Sequence, residues 1–349
     1  MNREPSAQLT LIVPTFRRVR FLDRLLDYAQ ATRFPFPILV ADSSEGEEFG
    51  RNAARIEACD APLKVAHLRF ACGLMEKMFC SVEKVTSPYC ALWADDDFQL
   101  PEGLLAGLKF LDENPDNGSC MGQFMAVRRH EQDTDVFLEI YPSREEPSAA
   151  ERILRWSENF YSSFYAVYRT PVLLEMLRAS VKASCYERCR IIPEILMGQT
   201  ALLLGRQRML EIPSIVYQMH DGNDSRVTPC VRDHASFPED YRRYRREMSP
   251  LVAAVTGLSR FEADRLVDRS FRNVHRWTGG RWWVFKKLVE NIRRPWRRLR
   301  LRLDAKRAVP RITRVTKQRI IATDDRLKSG SVAIAMAAVA RYPNGKPEV

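Results

Sequence analysis

Apolar and polar positions follow two rhythms over the first third of the chain. Leu9-Thr-Leu-Ile-Val13 is a nearly unbroken apolar run, the pattern of a strand covered on both faces. Pro14-Thr15 predicts its end. Phe21, Leu22, Leu25, Leu26 and Ala29 then recur at helical spacing and predict an amphipathic helix over 19–31. Pro37-Ile-Leu-Val-Ala41 is a second strand, stopping at Asp42-Ser43-Ser44, and Leu63 to Leu68 is a third. Leu74, Met78, Val82 and Val85 mark the next helix. Tyr89-Cys-Ala-Leu-Trp-Ala94 is a fourth strand that runs straight into Asp95-Asp96-Asp97. Pro101 stands where a helix would start, with Leu104, Leu105, Leu108 and Leu111 as its buried face. Strands alternating with helices over 110 residues predict an α/β fold: a Rossmann-like, mainly parallel sheet flanked by helices.

The rhythm changes further on. Residues 119–140 read as β structure with a charged turn around Arg128 to Asp135, and Tyr141 to Pro147 as a loop. Residues 151–180 give a helix, an aromatic run (Phe160, Tyr161, Phe164, Tyr165, Tyr168) that reads as core, and a second helix from Pro171. Pro193 opens a helix whose second residue is Glu194, and Gly205 closes it. Leu210 to Tyr217 reads as the last strand, leading into His220-Asp221-Gly222-Asn223-Asp224. The chain divides into a first domain over 1–235, in halves of about 1–118 and 119–235, and a helical region rich in Arg and Trp over 236–349. No internal repeat interrupts it.

Charge sharpens that last boundary. The net charge is +11, but residues 281–319 hold fifteen Lys and Arg against Glu290 and Asp304, so this segment alone carries +13 and the rest −2. Eight cysteines form no CxxC pair and no His/Cys metal spacing, which fits a reducing, cytoplasmic setting. Met1 to Gln8 holds no apolar signal core, and the apolar run Ser331 to Ala340 is too short to span a bilayer.

The candidate chemistry lies at the strand ends. A buried strand should not stop on three like charges without a partner, because adjacent anions repel and lose hydration when enclosed. A divalent cation with oxygen ligands, shared with a phosphate, removes the conflict; a solvated acidic loop is the plainer reading. Were the chain extended through the triplet, Asp95 and Asp97 would point one way and Asp96 the other. Pro14-Thr15-Phe16-Arg17, Asp42-Ser43-Ser44 and Asp95 to Asp97 all end strands of one sheet, and ligands of such sheets bind beyond the carboxyl ends of the strands.

Together these residues resemble a family-2-type glycosyltransferase with the GT-A fold: the opening strand with Pro14, Thr15 and Arg17, the second strand ending at Asp42 to Ser44, the Asp-x-Asp signature at Asp95 to Asp97, and a Glu-led helix with a glycine eleven residues on (Glu194, Gly205). The likeness covers about residues 9–220. The Ala-Asp-Asp-Asp-Phe string looks closest to a bacterial and archaeal subgroup of that family. The resemblance implies a nucleotide-diphospho-sugar donor, a divalent metal (Mg2+ or Mn2+), an acceptor hydroxyl and inversion at the anomeric carbon, in cell-surface glycan synthesis. It implies that Pro14, Thr15, Arg17, Asp42, Asp95 and Asp96 hold the nucleotide sugar, that Asp97 and His220 contact the metal, and that Glu194 is the general base. It makes 1–118 the nucleotide-binding half and 119–235 the acceptor half. Two features depart from the pattern: Ile195, not a second acid, follows Glu194, and no basic-Asn signature follows the third strand, which leaves Lys77 a weak candidate for a donor contact.

Each assignment has a plainer counterpart. An acid in a first helical turn serves the helix dipole, and Glu187, Asp221 and Asp224 are rivals for the base. His220 reads equally as a surface histidine, Asp42 as a turn cap, Arg17 as a solvated residue at a helix start. Trp282, Trp283, Phe285 and Trp296 interleaved with arginines suit an anionic membrane surface, and hence a lipid-linked or membrane-proximal glycan acceptor at the inner face of the cytoplasmic membrane; a solvated helix, or packing on the first domain, is the counterpart. A sugar-nucleotide pyrophosphorylase would want a Gly-rich loop that Pro14 to Arg18 lacks. A nucleic-acid binder using the basic tail leaves the triplet unexplained, so no nucleic-acid partner is expected.

Overall fold

The computed structural model describes residues 7–129, 134–183, 191–220, 237–278, 316–320 and 330–340. Among them the chain forms one sheet of ten strands with helices on both faces. β1 (Leu9–Thr15) lies between β2 (Ile38–Asp42) and β4 (Tyr89–Leu92), parallel to both, and β3 (Val65–Arg69) extends the parallel run beyond β2. α1 (Val19–Ala31), α2 (Gly46–Glu57), α3 (Leu74–Val82) and α4 (Pro101–Glu113) supply the flanking helices. α1 falls where the apolar spacing predicts it. α2 was not foreseen: only Asn52 and Ile56 of its residues are buried, too little apolar repeat to announce a helix.

Period-two alternation explains the layers. Leu9, Leu11 and Val13 face one side with Tyr89, Ala91, Ile38 and Val40, against Leu22, Leu25 and Leu26 of α1 and Leu104, Leu108 and Leu111 of α4. Ile12, Leu39, Ala41, Cys90 and Leu92 face the other, against Met75, Met78 and Val82 of α3. Each Leu, Ile, Val or Met among them, once fully buried, contributes about 1.5–3 kcal/mol.

Beyond β4 the sheet adds antiparallel pairs. β5 (Phe98–Gln99), β6 (Asn117–Arg129), β7 (Thr134–Ile140), β8 (Val167–Arg169) and β9 (Arg206–Met219) complete it, with β8 between β4 and β6. β9 is longer than the predicted 210–217, and it is not the last strand: β10 (Thr316–Ile320) pairs antiparallel with β7, inside a region read from sequence as helical.

α5 (Ala149–Glu158), α6 (Thr170–Ala183) and α7 (Ile191–Leu204) cover the α3 side. α7 starts two residues before Pro193, so Glu194 is its fourth residue rather than its second. Gly205 follows the last residue of α7, as expected, but without a positive φ. It is needed for close approach: a Cβ there would lie 2.5 Å from the Gly118 nitrogen. α8 (Phe237–Thr256) and α9 (Arg260–Thr278) join the same core through Tyr244, Met248, Val252, Ala263, Val267 and Phe271. α10 (Gly330–Ala340) packs on the α1 side through Val332, Ala335 and Val339. Among the described residues no helix is long and apolar enough to cross a membrane. Residues 281–315, the bulk of the basic segment, lie outside the described residues, as do Glu187, Asp221 and Asp224.

Candidate active site at the strand ends

Parallel pairing brings the three polar strand ends together. Thr15 stands opposite Asp42 in the β1–β2 register, and the Trp93 amide donates to the Ile12 carbonyl at 2.8 Å, which places the triplet just beyond β1. β4 ends at Leu92, however, and residues 94–97 form a turn closed by the Asp97 amide on the Ala94 carbonyl at 3.2 Å. The strand alternation expected for the carboxylates is therefore absent. Asp95 and Asp96, not Asp95 and Asp97, converge on one partner.

That partner is Arg18. Its Nη1 lies 2.7 Å from Asp95 Oδ1 and its Nη2 2.8 Å from Asp96 Oδ2. The Thr15 hydroxyl donates to Asp95 Oδ2 at 2.8 Å, and His220 Nε2 meets Asp96 Oδ2 at 2.8 Å. Arg24 donates to the Asp96 carbonyl at 2.6 Å and also to the Gln218 side chain. Asp97 is turned inward: its Oδ1 accepts the Gln218 amide at 2.8 Å and its Oδ2 the Tyr165 hydroxyl. Two strand pairings cause this. β5 pairs Phe98 with Val216 and so brings Gln218 alongside Asp97; β8 pairs Val167 with Ala91 and so brings in Tyr165. His220, expected beside Asp97, instead sits on Asp96 with its ring stacked on Phe21 at 5.4 Å. It is buried, which removes the surface-histidine reading.

Burial sets the protonation of the cluster. It pushes Asp95 up to about 6, against the pull of Arg18 and aided by the charge on Asp96. Burial also works against Asp96, but the His220 hydrogen bond and Arg18 outweigh it and hold that carboxyl well below the usual range. Asp97 is pushed well up, by burial first and then by Asp96. Lys77, weakly marked in the sequence, is buried and donates to the Thr15 carbonyl at 2.6 Å; burial lowers its pKa, while Asp95 and Asp42 pull it back up.

Asp42 is a second hub. It accepts from the Ser44 amide at 2.7 Å and the Asn52 side chain at 2.8 Å, and His67 Nε2 lies 3.1 Å away. Those hydrogen bonds overcome the cost of burial and bring its carboxyl down to about 2. The local cap expected of Asp42 is therefore present, within a network that also ties α2 and β3 to the strand end. Arg17 points away: its side chain is 61% exposed, near Glu48, and its φ of 53° turns the chain sharply between β1 and α1. The Ser44 hydroxyl, accepting from the Arg17 amide at 2.9 Å, supports that strained turn. Pro14 pairs with Ala41 inside the ladder. Glu194 is half-buried in the first turn of α7. That helix is anchored at Gln199, which accepts from Tyr244 of α8 at 2.6 Å and donates to Ser270 of α9 at 2.6 Å.

The donor set at the triplet, carboxylates with one imidazole, is of the kind that hard divalent cations take. As they stand the residues do not present such a set: Arg18 bridges Asp95 and Asp96, His220 is bonded to Asp96, and both Asp97 oxygens are committed to protein donors. Among the described residues no group of three or more His, Cys, Asp or Glu could hold a metal. The cation on the acidic turn is Arg18.

The architecture and the position of the site define the GT-A fold. No family model and no curated protein sequence matches the chain. Solved structures do. TarS of S. aureus, residues 1–349, in complex with UDP-GlcNAc, superposes with a TM-score of 0.55 at 16% identity, covering 82% of this chain and 78% of that one. The same TarS segment without ligand gives 0.51 at 17% identity over 78% and 72% of the two chains, and with UDP 0.51 at 15% over 76% and 70%.

Proposed function

We propose that this chain is a glycosyltransferase that takes its sugar from a nucleoside diphosphate, with a uridine nucleotide as the first candidate, and acts in cell-surface glycan synthesis. The observation that carries the reading is the convergence of Thr15, Asp42 and Asp95 to Asp97 on one rim, in a fold shared with a TarS structure holding UDP-GlcNAc. The strand-end position is where such sheets bind ligands. Of the rival readings, a pyrophosphorylase wants a Gly-rich loop that Pro14 to Arg18 lacks, and a nucleic-acid binder leaves the carboxylate cluster unexplained.

In this reading the diphosphate faces Arg18 and the acidic turn. Arg18, 32% exposed at the rim and paired with Asp95 and Asp96, is placed to meet charge developing on the departing nucleotide. The bond from the anomeric carbon to the phosphate oxygen breaks as a bond to the acceptor oxygen forms on the opposite face. The acceptor hydroxyl proton passes to Glu194, and the configuration inverts. Lys77, buried and donating to the Thr15 carbonyl, steadies the strand end beneath the site. The Arg- and Trp-rich segment 281–319 is proposed to hold the enzyme to anionic membrane near a lipid-linked acceptor. Unchanged flotation with anionic liposomes after its deletion would remove that part.

A thermal-shift panel tests the whole. UDP, GDP, dTDP and CMP are each added with and without Mn2+ or Mg2+. At least one diphosphate is expected to raise the melting temperature, more strongly with metal. No shift with any of them refutes the donor assignment.

A further inference from the structure

We propose that the turn joining α8 and α9, together with the outward side of α9, docks on an anionic lipid surface: Val255 and Phe261 enter the headgroup boundary, and Arg265, Arg269 and Arg272 lie against lipid phosphates. The inference shares the membrane setting of the reading above, but it rests on a folded face and stands apart from residues 281–319.

The apolar part is held outward by a firmly built turn. Phe261 is 70% exposed, the most of any large apolar side chain among the described residues, and Val255 is 42% exposed. Gly257, at φ 70°, takes the left-handed conformation that ends α8, and its amide donates to the Ala253 carbonyl at 3.0 Å. Ser259 and Glu262 then cap α9 reciprocally. The Ser259 amide donates to Glu262 Oε2 at 2.9 Å, and the Glu262 amide to the Ser259 hydroxyl at 3.3 Å. With the backbone fixed in this way, Val255 and Phe261 stay in water unless an apolar environment is brought to them.

The charged part continues from Phe261. Helical spacing places Phe261, Arg265, Arg269 and Arg272 within an arc of about 80°, opposite the buried Val267, Ser270 and Val274. The three arginines are exposed, and Arg265 leans over the Phe261 ring at 5.8 Å. The acids of α9 are engaged elsewhere: Glu262 in the cap, Asp264 with Arg245 and Arg260 at 3.1 and 3.3 Å, Asp268 with Tyr241 and Arg245 at 2.5 and 3.2 Å. Among the described residues no ion pair neutralises Arg265, Arg269 or Arg272, so the row is net positive. A nucleic-acid duplex would take the arginines but offers Val255 and Phe261 no apolar partner; the boundary region of an anionic bilayer takes both. On its inner side α9 bears Ser270, which accepts from Gln199 at 2.6 Å. Docking here therefore leaves α7, the helix of Glu194, one helix away from the lipid.

The test is partition onto vesicles of phosphatidylcholine with phosphatidylglycerol, and onto phosphatidylcholine alone, read by sedimentation. The proteins are the unmodified full chain, R265Q/R269Q/R272Q, R265K/R269K/R272K and F261S; melting temperatures check that each is folded. Residues 281–319 are present in all of them, so the comparison reads α9. The unmodified chain is expected to prefer the vesicles with phosphatidylglycerol. The glutamine triple should bind these more weakly by about fivefold per arginine removed, on the order of a hundredfold in all, and the difference should shrink as salt is raised. The lysine triple keeps the charge and should stay within about threefold of the unmodified chain. F261S should lose about tenfold. Should the glutamine triple fail to fold, R269Q and F261S carry the comparison. Unchanged partition in the glutamine triple or in F261S, equal losses in the glutamine and lysine triples, or no partition by the unmodified chain overturns the inference. So does binding of duplex DNA that falls in these variants while vesicle partition holds. UDP should raise the melting temperature of the unmodified chain and the glutamine triple alike, so failure of the donor reading and failure of lipid docking are separate results.

Discussion

Replacing Asp42 with asparagine isolates the hub that joins β1, β2, α2 and β3 below the rim proposed to bind nucleotide. The carboxylate is wholly buried and accepts from Ser44 and Asn52 at 2.7 and 2.8 Å, with His67 at 3.1 Å. An asparagine of the same shape keeps one acceptor and turns its NH2 on a donor that now has no partner. The charge contribution follows from linkage. The carboxyl lies at about 2 in the folded chain against an ordinary 3.8, a drop worth about 2.5 kcal/mol at neutral pH. Because the folded pKa is the lower one, this stabilisation is complete above about pH 4 and fades as pH falls through about 2; at pH 3 about half remains. Urea unfolding of both proteins at pH 7 and pH 3 measures it. D42N should be less stable by about 2–3 kcal/mol at pH 7, and the gap should narrow by about 1 kcal/mol at pH 3. A difference below about 0.5 kcal/mol at pH 7, or a gap indifferent to pH, refutes the hub as described.

Asp95 responds to pH in the opposite sense. Burial raises it to about 6, so the folded chain takes up a proton there as pH falls from about 6 to 4 and gains stability in that window. The stability of the unmodified chain relative to D95N should rise by about 1 kcal/mol in urea unfolding as pH falls from 7 to 5, and a difference indifferent to pH would refute the assignment. E194Q should leave UDP affinity within about twofold while cutting transfer by ~10²–10⁴-fold, and equal turnover would end the base assignment. G198A tests how α7 is held against α5. A Cβ at Gly198 would lie 2.4 Å from the Trp156 ring, so a loss of about 1–3 kcal/mol in urea unfolding is expected, and an unaltered midpoint would mean that this contact is slack.

The layout of the sheet was legible because β1, β2 and β4 are apolar enough, and α1 and α4 periodic enough, to announce themselves locally. The position of Thr15, Asp42 and the triplet on one rim followed from parallel pairing alone. What local pattern could not convey was direction. The acidic turn bends at Ala94, outside any strand, so Asp96 joins Asp95 and Asp97 turns inward. Arg17 and Arg18 are neighbours of one type; a positive φ at Arg17 decides which of them enters the site, and no spacing rule reports that. Arg24 did leave a trace: it is a charged residue on the α1 stripe of Phe21 and Tyr28, where a solvated side chain has no place. Tyr165 and Gln218 reach Asp97 through strand pairings 68 and 121 residues distant, beyond the range of local pattern.

The most direct test of the donor site is a crystal structure of the chain grown with UDP and Mn2+. The account expects the diphosphate at the carboxyl ends of β1 and β4, facing the Arg18 guanidinium and the acidic turn. A nucleotide bound elsewhere, away from Thr15, Arg18 and the acidic turn, would contradict it.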